Sequence, residues 1–147
     1  MVNMIKEACV VFMNDRDGKF LLQLRDQKPD IIYPGHWGAF GGEINSGETP
    51  EAGGMRELRE EIGFSPPVLF FFKDYLVGDW VLHVFYCELT LPLSRLSLNE
   101  GSDMGLFAKE EILKGKLYSE RIKRYYPIVP AILAFYEEFF EYIVANE

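Results

Sequence analysis

Gly42–Phe64 reads GEINSGETPEAGGMRELREEIGF, and within it Arg56-Glu57-Leu58-Arg59-Glu60-Glu61 crowds carboxylates into little more than one turn of helix. Thr49 followed by Pro50 is a start signal, because a threonine hydroxyl accepts from free backbone N–H groups and proline at the first helical position gives up a donor that lacks a partner anyway. Gly63 is the matching stop. At helical spacing Met55, Leu58 and Ile62 fall on one side, and Glu57, Glu60 and Glu61 on another. One face packs while the other gathers negative charge.

Carboxylates held that close repel one another, and a cation among them relieves the repulsion. Hard divalent ions prefer oxygen ligands, and Mg²⁺ takes one or two carboxylates while keeping waters that a phosphate-bearing substrate can displace. A solvated acidic face is the competing reading of such a pattern. Glu48 stands just before the helix, beside its positive end or within reach of the acidic cluster. Gly41-Gly42 permits close backbone approach.

The stretch resembles the signature of the Nudix hydrolase superfamily, GX5EX7REUXEEXGU with U a bulky apolar residue. Gly42, Glu48, Arg56, Glu57, Leu58, Glu60, Glu61, Gly63 and Phe64 meet every defined position. The resemblance implies a Nudix fold, an α/β/α sandwich around a mixed β-sheet. It also implies hydrolysis of a nucleoside diphosphate linked to another moiety, by water attacking phosphorus with Mg²⁺, or Mn²⁺ as a substitute. By position, Glu57, Glu60 and Glu61 become metal ligands together with the backbone of Gly42. Glu57 or Glu48 helps to activate the water, and Arg56 orients the glutamates around it. Phosphoryl transfer needs chiefly charge neutralisation and in-line positioning, which suits those roles. Two nearby positions depart from the family's common form: Phe40 stands where proline is frequent, and Asn45 where glutamate is. The second removes a carboxylate from the neighbourhood.

A chain of 147 residues is expected to form one domain over residues 1–147. Its 15 basic and 23 acidic residues leave a formal charge of −8, which argues against a broad surface for nucleic-acid polymers or anionic membranes. An acidic protein acting on polyphosphates needs cations to reconcile the charges. Cys9 and Cys87 lie in apolar runs and read as buried thiols instead of a disulfide. The apolar run Ala8–Met13 is too short to span a membrane, and no signal-peptide cleavage pattern follows it, so a cytoplasmic protein is expected.

Around the signature, Ala8–Met13 reads as a buried strand. After the turn formers Asn14–Gly18, Lys19–Arg25 alternates, with Phe20, Leu22 and Leu24 on one side. Arg25 ends that strand before a loop, where it reads either as a solvated charge or, as the family resemblance implies, as a phosphate contact. Trp37–Gly42 reads as one short strand, and Trp37 and Phe40 are candidates either for the core or for contact with a substrate base. Gly53-Gly54 inside the helix should cost about 1 kcal/mol each relative to alanine. Close packing or a loosened first turn would explain them. Val68–Val77 and Trp80–Thr90 form a hairpin across Gly78-Asp79, with His83 either bonded within the fold or facing substrate. Pro92–Asp103 reads as a loop. There the resemblance implies a further acid, Glu100 first and Asp103 second, and a turn with ordinary solvated acids is the competing reading. Lys109–Leu113 suits a short helix, and a helix beginning around Pro127–Pro130 places Ile128, Ile132, Phe135, Phe139 and Tyr142 at helical spacing. Tyr136 and Phe140 widen that stripe, which leaves room for a homodimer interface.

The expected substrate is a nucleoside triphosphate, standard or modified, yielding the monophosphate and pyrophosphate. Nucleotide sugars and ADP-ribose stay open as alternatives, as does a nucleotide-sensing module without turnover. An isoprenoid diphosphate isomerase would need a catalytic cysteine, and neither Cys9 nor Cys87 has a motif to support that role.

Overall fold

The computed structural model describes residues 5–146. Residues 1–4 and 147, the ends of the expected domain, lie outside the described residues. The chain folds into two compact units: one holds the stretch up to Asn14 with Phe40–Asn99, and the other holds Asp15–Ala39 with the chain from Glu100 onward.

In the first unit, β1 (Lys6–Asn14) is an apolar, β-branched run buried from Cys9 to Met13. It pairs antiparallel with β4 (Phe40–Glu43) and parallel with β6 (Trp80–Glu88), so the sheet is mixed. The helix α1 (Pro50–Ile62) separates β4 from β5 (Phe70–Val77) in the chain. β5 and β6 form the expected hairpin, closed by a two-residue turn in which Gly78 takes a φ of 62° and Val77 pairs with Trp80. A bulge between Phe71 and Lys73 interrupts the alternation of β5, whose Phe70, Phe71, Leu76 and Val77 stay exposed. A short 3₁₀ turn at Leu93–Arg95 sits inside the expected loop.

In the second unit, β2 (Phe20–Leu24) pairs antiparallel with β3 (Trp37–Gly38) and with β7 (Asp103–Phe107). Every residue of β2 is buried, so the expected one-sided alternation is replaced by burial on both faces. The stretch expected as a single strand at Trp37–Gly42 breaks at Ala39 into β3 and β4, because the first part pairs with β2 and the second with β1. α2 (Lys109–Ile112) leads to a hairpin of β8 (Lys116–Ser119) and β9 (Arg124–Pro127), which the hydrophobic pattern did not announce. α3 (Pro130–Ala145) buries Ile132, Phe135, Tyr136, Phe139 and Phe140. Phe20 meets the rings of Tyr136, Phe139 and Phe140 edge-on, with centroids 5.6, 6.0 and 5.3 Å away. The apolar surface of Tyr136 and Phe140, expected as interface material, is therefore consumed inside the chain, and burial pushes the Tyr136 phenol above its ordinary pKa. No helix among the described residues is long and apolar enough to cross a membrane.

Candidate active site

The local start and stop of α1 follow the sequence closely. Thr49 is extended, its hydroxyl accepts from the Ala52 N–H at 3.1 Å, and Pro50 opens the helix. Gly63 ends it in the left-handed region at a φ of 70°. Leu58 and Ile62 are fully buried. Gly53 and Gly54 are buried as well, and close packing is the reason for both. A Cβ on Gly54 would lie 3.0 Å from Leu69 Cδ1 and 3.5 Å from Val11 Cγ2, while one on Gly53 would lie 3.1 Å from Glu48 Oε1 and 3.3 Å from Ile44 Cγ1.

Arg56 is the hub of the acidic cluster. Its Nε donates to Glu48 Oε2 at 2.7 Å and its Nη2 to Glu48 Oε1 at 3.0 Å, a two-pronged grip that suits the planar fork of a guanidinium. Nη1 donates to Glu57 Oε1 at 3.0 Å and to Glu60 Oε2 at 3.2 Å, and Nη2 also reaches the carbonyl of Glu43 at 3.0 Å. The Arg56 side chain keeps only 17% of its exposure, so these bonds are partly shielded from water. Hydrogen bonding to Arg56, helped by the N–H of Asn45, holds the Glu48 carboxyl below its ordinary pKa, and the same bond raises that of Arg56. Glu48 thus turns toward the cluster instead of sitting over the helix end.

Glu61 departs from the open acidic face. It is 7% exposed, and its Oε1 accepts from the backbone N–H of Gly41 at 3.3 Å. Gly41 has a φ of 145°, and a side chain there would collide with the carbonyl of Cys9 on the paired strand. At Gly42 a Cβ would lie 2.6 Å from the carboxylate carbon of Glu57. The glycine pair therefore lets the strand approach the acidic helix. Cys9 lies underneath, its thiol 3.5 Å from the Gly42 carbonyl; burial, with the charges of Glu57 and Glu61 adding to it, pushes its pKa up to about 11. Cys9 and Cys87 are both free and buried, as the apolar runs around them suggested.

The remaining candidates fall elsewhere. Trp37 is fully buried, edge-on to Phe107 at 4.9 Å, and its indole N–H donates to the Leu117 carbonyl at 2.9 Å. Phe40 is also fully buried, so neither ring presents a face to a base and the substrate contact expected of them gives way to packing. Arg25 Nε donates to the Ile32 carbonyl at 2.8 Å, bracing the loop that follows β2. Glu100 is exposed. Asp103 lies in β7, where Ser119 Oγ donates to Oδ2 at 2.7 Å and the Met104 N–H to Oδ1 at 2.8 Å, a structural role. His83 bridges Asp74 at 2.6 Å and Glu7 at 3.0 Å, and His36 Nδ1 lies 2.9 Å from the Pro34 carbonyl. Contacts that no local pattern marks are the Glu43 carbonyl on Arg56 and the Gly41 N–H on Glu61, because both arise from β4 lying against α1.

A divalent cation fits this donor set by its chemistry. Glu57, Glu60, Glu61 and the Gly42 carbonyl offer oxygen throughout, and the missing Cβ of Gly42 leaves the space that the Glu57 carboxylate enters. Among the described residues no group of three acidic, histidine or cysteine side chains stands ready-assembled as a ligand set. Arg56 engages one oxygen of Glu57 and one of Glu60, and each carboxylate has a second.

The family model of the NUDIX domain matches residues 4–127. A protein of Caenorhabditis elegans named as a nudix hydrolase is 30% identical over 84 residues; the match spans 56% of this chain and 22% of that relative's length. Among solved structures, the Escherichia coli ORF135 protein is 25% identical with a TM-score of 0.69, covering 95% of this chain and 91% of its own. The MutT protein of Methanosarcina mazei superimposes with the same TM-score of 0.69 at 21% identity, over 92% of this chain and 93% of its own, a likeness of fold. With the complete signature on a capped helix, its arginine among the glutamates, and a family match running through most of the sequence, the chain belongs to the Nudix hydrolase family, whose members act on nucleoside diphosphate derivatives.

Proposed function

We propose that this protein hydrolyses a diphosphate bond of a nucleoside triphosphate, standard or modified, to the nucleoside monophosphate and pyrophosphate. The observation that carries the reading is the Arg56 hub, which draws Glu48, just ahead of α1, together with Glu57 and Glu60 on it, while Glu61 is anchored to Gly41. Mg²⁺, when bound, supplies charge neutralisation at the phosphates and lowers the pKa of a bound water. Glu57, Glu60, Glu61 and the Gly42 carbonyl are the residues that would hold it. Glu57 or Glu48 would accept the proton of the attacking water as its oxygen bonds to phosphorus and the bridging P–O bond breaks. Glu100 is a further candidate for that base. Arg56 keeps the acids oriented, and Arg25 is proposed as a contact for a substrate phosphate.

The proposal extends to one catalytic domain over residues 1–147, since the family match runs through both units. A cytoplasmic setting is proposed because two buried free thiols suit a reducing compartment.

The test is a panel of nucleoside triphosphates, modified triphosphates, nucleotide sugars and ADP-ribose, assayed with Mg²⁺ for released monophosphate and pyrophosphate. Turnover of a triphosphate that Glu60→Gln suppresses by about 100-fold or more, with the fold retained, supports the reading. Undiminished turnover by that variant would remove the assigned site. Nucleotide binding without turnover across metals and pH would turn the reading into that of a sensing module.

A further inference from the structure

We propose that Ser97 and Asn99 form a clamp on the C-terminal turn of α1 that positions Glu60 and Glu61 for cation binding, a reading that rests on the proposed function and extends it to residues outside the signature. The last turn of any helix leaves carbonyls without intrahelical partners. In α1 the Gly63 stop takes care of the earlier ones, its N–H reaching the carbonyls of Arg59 and Leu58, with the Phe64 N–H on Leu58 at 3.4 Å. The helix is thus already terminated by an ordinary left-handed cap. The next three carbonyls belong to Glu60, Glu61 and Ile62, and solvent is the usual partner for such groups at a surface.

Here the partners come from a distant loop. Asn99 Nδ2 donates to the Glu60 carbonyl at 2.6 Å, the Asn99 N–H donates to the Glu61 carbonyl at 3.1 Å, and the Ser97 N–H donates to the Ile62 carbonyl at 3.0 Å. A single residue thereby holds the backbone of two consecutive assigned ligands. Terminal helical turns fray, and fraying would swing Glu60 and Glu61 first. Glu60 is the more exposed to that effect, because its side chain is 58% accessible and is steadied within the cluster by the 3.2 Å bond to Arg56. Holding the carbonyls fixes the Cα positions and hence the origin of both carboxylates. Asn99 is a positioning residue: it acts through the backbone of the ligands and touches no reacting atom.

The test uses the intact chain and Mn²⁺ as probe, with free Mn²⁺ measured by electron paramagnetic resonance in the absence of nucleotide. Asn99→Ala removes the side-chain donor, and the near-isosteric Asn99→Asp replaces the amide with a carboxylate that cannot donate when ionised. Asn99 is exposed, so both variants should fold. Thr49→Ala is the control, since it deletes the cap at the opposite end of the same helix and lowers the melting temperature without touching the last turn. The expected result is about a tenfold loss of Mn²⁺ affinity in Asn99→Ala and a larger loss in Asn99→Asp, with Thr49→Ala retaining wild-type affinity. Faster amide exchange at Gly63 and Phe64 should accompany the loss. Wild-type affinity in both Asn99 variants overturns the clamp while leaving the hydrolase reading intact. An absence of Mn²⁺ uptake by the wild-type chain overturns both.

Discussion

Arg56 decides the character of its surroundings, because one guanidinium bonds to Glu48, Glu57, Glu60 and the Glu43 carbonyl. Lysine would keep the charge and lose the fork. Arg56→Lys is therefore expected to lower stability by about 2 kcal/mol, read from chemical denaturation, and to weaken Mn²⁺ binding by releasing Glu57 and Glu60. The Glu48 partner carries a pH signature. Its carboxyl is held below the ordinary value of 4.5, so the native state favours the ionised form. The stability this contributes is fully present above the unfolded-state value and is lost as pH falls through the lower folded-state value. Melting temperature followed from neutral to acid pH should drop more gently on that limb in Glu48→Gln than in the wild type. A Gly42→Ala substitution should displace Glu57, since the new methyl would sit 2.6 Å from its carboxylate carbon, and the expected outcome is loss of turnover with the fold retained.

At the scale of elements, α1 shows why propensity alone misleads. Alanine at position 54 would improve helix propensity by about 1 kcal/mol. The same methyl would press on buried Leu69 from 3.0 Å, and overpacking of that kind costs about 1–3 kcal/mol. Gly54→Ala is thus expected to be net destabilising, by about 1 kcal/mol in a denaturant titration. The ends of α1 were legible in Thr49, Pro50 and Gly63 because capping is local chemistry. The β8–β9 hairpin was not, since its strands have four residues each, and Leu117 and Tyr126 are the paired residues buried within them. So short a run carries no period. Trp37 and Phe40 were ambiguous for a related reason: an aromatic side chain suits a core and a base equally well until its exposure is known.

For the molecule as a whole, a formal charge of −8 set against the polyphosphate proposed as reactant leads to the expectation that turnover depends on cations. Chelation by EDTA should abolish hydrolysis, and Mg²⁺ or Mn²⁺ should restore it. Stability draws on aromatic packing in the second unit, where Phe139 is buried against Phe20; Phe139→Ala should cost about 3–5 kcal/mol in unfolding free energy. The sequence by itself determined the family, the helix that bears the acids, its limits, and the burial of both thiols, because signature spacing, capping and hydrophobic runs act over a few residues. Only the tertiary structure decided that Glu61 is buried on Gly41, that Gly53 and Gly54 are packing sites, that Trp37 and Phe40 belong to the core, and that Asn99 grips the end of the helix. Those outcomes depend on which strand or loop lies against the helix, and that proximity is a product of chain folding over long separations, which no local pattern of residues encodes.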